Sequence, residues 1–221
     1  MNFRNCRFAL TLFSLFASLF CYAGDIVIKN NISGKVISFG NSKLMLTLDY
    51  KGKCNISEIY VNGQSVLSGP EGVYSAITTS KGHYSTLQLL SEPTVNVGDN
   101  TVTIREIRYG GNEEIVSESW HFLLTDSTIK FDIERTFPKP LFIHEALFPL
   151  FTFKSINTWN GAFLDYGGLA WFYLFNQKLC TYGVHSDCSI FWNSTTGNAL
   201  KVAVSAQEKQ IAMKYSRSDD D

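Results

Sequence analysis

The chain has 221 residues, 45% hydrophobic, 14% aromatic and only 18% charged, which excludes a disordered polymer and supplies material for a sizeable core. Nineteen basic against twenty acidic side chains leave a net charge of −1, so the dense Lys/Arg surface that neutralises nucleic-acid phosphates is missing. At about 150 residues per domain the length predicts one large domain, with two small ones as the less favoured alternative.

The first segment reads as an export signal. Arg4 and Arg7 precede an apolar run over 8–21 that ends at Tyr22-Ala23-Gly24. A basic start, a short apolar stretch and a small residue at the exit are the parts of a secretory signal peptide, with cleavage after Ala23. The run is short of the ~20 residues a spanning helix needs, and an uncleaved anchor is the competing reading. Export to the periplasm, the cell surface or the medium is therefore expected, with 1–23 removed and 24–221 forming a single domain. Three cysteines then remain, Cys54, Cys180 and Cys188, an odd number that gives no disulfide framework. Cys180 and Cys188 lie on what reads as a hairpin. One bridge between them and three buried free thiols are both open readings.

Beyond residue 24 the chain alternates with period two. Leu44, Leu46, Leu48 and Tyr50 share one face, opposed by Met45, Thr47 and Asp49. Asn62-Gly63 separates two short apolar runs and predicts a two-residue hairpin, because both residues tolerate positive φ. Val116, Trp120, Phe122 and Leu124 form a second apolar face, opposite Ser117, Ser119 and His121. Ile129, Phe131 and Ile133 alternate with Lys130 and Asp132 and are expected inside. Pro138 and Pro140 predict a crossover between sheets, since proline cannot donate to a ladder. Leu200 and Val202, then Ile211, Met213 and Tyr215, continue the alternation. No window sustains helical spacing. The expected fold is all-β, a large two-sheet antiparallel β-sandwich.

Chemical motifs are scarce. There is no GxSxG elbow, GxGxxG turn, phosphate loop or CxxC pair, and the four histidines are scattered. No catalytic residue, metal ligand or cofactor is assigned. One stretch stands out: Trp159, Tyr166 and Trp171 are interleaved with Asn160, Asp165 and glycines. Sugars stack their C–H faces on aromatic rings while amides and carboxylates take the hydroxyls, so these five residues are the candidate carbohydrate contacts. An aromatic core between two sheets accounts for the same composition and is the favoured alternative.

From about Asp25 to Tyr215 the chain resembles the galactose-mutarotase-like sandwich that precedes the helical (α/α)6 barrel in several glycoside hydrolases and phosphorylases. The resemblance is carried by the 38–44 stretch Ser-Phe-Gly-Asn-Ser-Lys-Leu and by Ile59-Tyr60-Val61-Asn62-Gly63. Most of it rests on the pair of segments 119–124 and 127–135, a strand, turn and strand closed by Arg135. It implies an exported carbohydrate-active enzyme whose acid and base carboxylates belong to a C-terminal helical catalytic domain absent from this chain. The expected partners are thus a carbohydrate (an oligosaccharide or glycan) and that helical domain, with no nucleic acid. Two other readings are a free-standing glycan-binding or structural sandwich and an outer-membrane β-barrel. The barrel fits less well, because many of the segments are shorter than the ~10 residues a spanning strand needs.

Overall fold

The computed structural model describes residues 25–67, 71–111, 113–151, 159, 161–164, 181–185, 188–203 and 212–216. Among them the chain is all-β, every strand pairing is antiparallel, and no helix is long and apolar enough to cross a membrane.

The largest sheet begins with β1 (Val27–Asn31), β2 (Val36–Gly40), β3 (Leu44–Asp49) and β4 (Asn55–Val61), each beside its predecessor. Next come β6 (Val73–Thr79) and β12 (Ile143–Phe151), while β5 (Gln64–Ser65) pairs with β4 and β7 (His83–Ser85) with β6. The Asn62-Gly63 turn between β4 and β5 has φ of 49° and 77°, the left-handed pair that a two-residue hairpin requires. In β3 Leu46 and Leu48 are buried while their neighbours are half-buried, and Tyr50 follows inside, as the alternation predicts.

A second sheet has the order β11 (Ile129–Thr136), β10 (Glu114–Leu124), β9 (Thr101–Gly111) and β8 (Thr94–Val97). In β10 Val116, Trp120, Phe122 and Leu124 are buried, alternating with half-buried or exposed positions. Along β11 Ile129, Phe131 and Ile133 are half-buried and Lys130, Asp132 and Glu134 exposed, so the expected parity holds on a strand at the sheet's edge. The chain leaves this sheet through the Pro138–Pro140 segment and enters the first sheet at β12, which is the predicted crossover.

Buried residues of both sheets belong to one hydrophobic cluster that includes Phe39, Leu48 and Ile56 from the first and Ile104, Trp120 and Phe122 from the second. The Phe39 and Phe122 rings meet across the sheets at 4.7 Å, and Phe122 stacks on Phe131 at 4.4 Å and 16°. Burying such side chains contributes about 2 kcal/mol each. Asn41 Nδ2 adds a polar tie, donating to the Thr125 carbonyl at 3.0 Å.

A three-stranded sheet of β13 (Gly161–Leu164), β15 (Cys188–Asn193) and β16 (Asn198–Ala203) joins the same cluster through Leu200 and Phe191. Asn198 anchors it to the first sheet, donating to Gln64 Oε1 at 2.8 Å and accepting from Asn62 Nδ2 at 2.8 Å. The strands β14 (Thr181–His185) and β17 (Ala212–Ser216) pair with each other. This corrects the hairpin expected over 180–188: β14 pairs with β17, whereas β15 pairs with β13 and β16. Cys180 and the Cys188 side chain lie outside the described residues. Cys54 is a free, fully buried thiol.

Candidate functional site

The chemically densest point lies between the two larger sheets. Glu118 stands on β10 at the same parity as Val116 and Trp120, so its carboxylate points into the core and is 0% exposed. Arg135 stands at the inward parity of β11, with 5% of its side chain exposed. Arg135 Nε donates to Glu118 Oε1 at 2.6 Å. Tyr109 Oη and Ser75 Oγ donate to the same oxygen at 2.7 and 2.9 Å, and Trp120 Nε1 donates to Oε2 at 2.8 Å. Arg135 Nη2 reaches the first sheet, donating to Ser75 Oγ at 2.6 Å and to the Leu147 carbonyl at 3.2 Å.

Local backbone irregularity makes this geometry possible. Glu118 pairs with Ile107 and Trp120 with Ile104, so Arg105 and Glu106 together oppose one residue of β10. Glu106 adopts φ of 60°, and Thr94 Oγ1 donates to its carboxylate at 2.9 Å. This bulge shifts the parity of β9: Val102 and Ile104 are buried before it, Ile107 and Tyr109 after it. Without the extra residue the Tyr109 phenol would face the other side of the sheet.

A buried carboxylate with four donors, three on Oε1 and one on Oε2, is structurally committed. An ion pair shielded from water repays its desolvation only when such hydrogen bonds accompany it. Its charge also acts on its neighbours. Burial, reinforced by Glu118, pushes the Tyr109 phenol far above its usual range, and burial followed by Glu118 and Asp49 raises the Cys54 thiol well above its own. A thiol held protonated is a poor nucleophile. The cluster is a clamp between sheets rather than an acid–base pair facing a substrate.

Of the five aromatic-stretch candidates, Trp159 is 1% exposed and packs in the main cluster, 6.2 Å from the Phe191 ring. Its ring lies in the core, as the favoured aromatic-core reading expects of this residue. Asn160, Asp165, Tyr166 and Trp171 lie outside the described residues. Among the described residues no group of three or more His, Cys, Asp or Glu side chains is placed to hold a metal ion. Glu118 and Arg135 were legible as anomalies, since each breaks an apolar face at the inward parity of its strand. No known protein family, curated protein or solved structure matches the chain.

Proposed function

We propose that the chain is a two-sheet β-sandwich of the galactose-mutarotase-like type, acting as the non-catalytic, carbohydrate-contacting domain of an exported glycoside hydrolase or phosphorylase. The observation that carries this reading is the position of Arg135. Arg135 of the 127–135 segment, on which the resemblance chiefly rests, ties the second sheet to Ser75 and Leu147 of the first. Its partner Glu118 is consumed by that tie, and one apolar cluster runs through both sheets. Such a body presents a rigid support to a helical catalytic domain and leaves its loops for sugar contacts.

Glycoside cleavage requires two carboxyl groups positioned about 5 to 10 Å apart across the bond, one protonated and one ionised. In this reading those groups belong to the helical partner. The test is to assay the purified chain against aryl glycosides and free aldoses. No hydrolysis, phosphorolysis or anomer interconversion is expected, and turnover abolished by a carboxylate-to-amide change would refute the reading. Export is checked separately by sequencing the N-terminus of secreted material, which should begin at Gly24.

A further inference from the structure

A second polar feature lies away from the Glu118 clamp, where three turns converge. Lys81 in the β6–β7 turn, Glu113 and Glu114 at the β9–β10 turn, and Lys139, Leu141 and Phe142 in the crossover to β12 enclose a cleft of about 170 Å³. Phe142 is 77% exposed, yet its ring is held against the His144 imidazole in an edge-on contact at 5.1 Å and 82°. Glu114 forms the floor, 7% exposed, with Oε2 accepting from Thr79 Oγ1 at 2.6 Å. The neighbouring Tyr84 phenol is raised by burial and then by Glu114. At the rim Lys81 Nζ stands 3.9 Å from Glu113 Oε2, both side chains largely exposed.

We propose that this cleft is a saccharide-binding subsite for a neutral sugar unit, with Phe142 as the stacking platform. Four features favour that ligand class. An oriented, solvent-facing aromatic ring offers the flat apolar surface that a pyranose C–H face covers. Lysines and carboxylates beside it supply donors and acceptors for vicinal hydroxyls. Two lysines against two glutamates leave the cleft without net charge, so it matches an uncharged polyol rather than a phosphate or a uronate. Its volume lies below the ~300–1,000 Å³ of sites that engulf a drug-sized ligand, which suits one or two sugar units at a chain's surface. The proposal rests on the carbohydrate reading above and moves the contact from the 159–171 stretch to the β11–β12 crossover.

The test titrates the full chain with cello-, malto-, manno-, xylo- and chito-oligosaccharides by calorimetry and repeats the best ligand on variants. Phe142→Ala should weaken binding about tenfold and Lys139→Ala about threefold, with the unfolding midpoint unchanged because both side chains are on the surface. Ile32→Ala is the control, an exposed apolar residue in the β1–β2 turn at the opposite edge of the large sheet. It should bind as the parent does. If the parent binds but Phe142→Ala and Lys139→Ala stay within twofold of it, the subsite is wrong and the carbohydrate reading stands. No binding to any oligosaccharide overturns both. A clear preference for a sulfated or phosphorylated oligosaccharide overturns the neutral assignment.

Discussion

Replacing Arg135 by Met removes the cation from a carboxylate that has no access to water. Glu118 would keep Tyr109, Ser75 and Trp120 as neutral donors but lose its 2.6 Å charged contact, and the link from Arg135 to the Leu147 carbonyl would go as well. Breaking a buried pair from one side costs about 3–5 kcal/mol, a large part of the roughly 5–15 kcal/mol that stabilises a domain. Tyr109→Phe removes one hydrogen bond to the same charge and should cost about 1.5–3 kcal/mol. Combining Arg135→Met with Glu118→Gln removes both charges, so the double variant should fall short of the summed single effects by about 2 kcal/mol or more. Urea unfolding of the parent, Arg135→Met, Glu118→Gln, their double variant and Tyr109→Phe, followed by tryptophan fluorescence, puts all five proteins on one scale. Trp120 reports locally because its Nε1 is bonded to Glu118. An Arg135→Met cost below about 1 kcal/mol, or strict additivity, would refute the clamp.

Three other perturbations probe the same architecture. Gly110 has φ of 130°, and a Cβ there would overlap the Glu114 carbonyl, whereas Gly63 at φ 77° has open space around it. Gly110→Ala should cost more than Gly63→Ala, which pays only the left-handed penalty of about 1–2 kcal/mol; equal unfolding midpoints would contradict the turn geometry. The raised Cys54 thiol and Tyr109 phenol keep their protons in the folded chain after the unfolded chain has lost them. The unfolded state then binds fewer protons, so stability should be complete below about pH 9 and decline above it. Cys54→Ala should flatten the start of that decline in alkaline urea titrations, and an unchanged slope would refute the assignment. Phe131 stacks on Phe122 and meets the Trp120 ring at 5.2 Å, so Phe131→Asp should cost several kcal/mol, and wild-type stability would place that face outside.

Much of this architecture is written in side-chain parity. The inward positions of β3, β10 and β11, the Asn62-Gly63 hairpin and the proline-marked crossover follow from alternation and turn chemistry alone. Sheet membership does not, because alternation is blind to which strand lies beside which. The segment around Cys180 and Cys188 therefore read as a hairpin although its strands join different sheets. The bulge at Arg105-Glu106 was equally hidden, since neither residue is among the Gly, Asn or Asp that announce left-handed backbone. Glu118 and Arg135 had a local signal, a charge at an apolar parity, but their meeting with Ser75 and Tyr109 depends on register and on that bulge. Phe142 carried no pattern at all. Only the convergence of three turns sets it beside Lys81 and Glu114.

The proposed role, contact with carbohydrate without its transformation, is read from calorimetric titration of the full chain with the neutral oligosaccharide panel at two salt concentrations. A saturable isotherm is expected for at least one sugar, changing little with added salt because the ligand carries no charge to screen, with the sugar recovered unaltered. Absence of heat with every oligosaccharide at saturation, or recovery of a cleaved or isomerised sugar, would overturn that role.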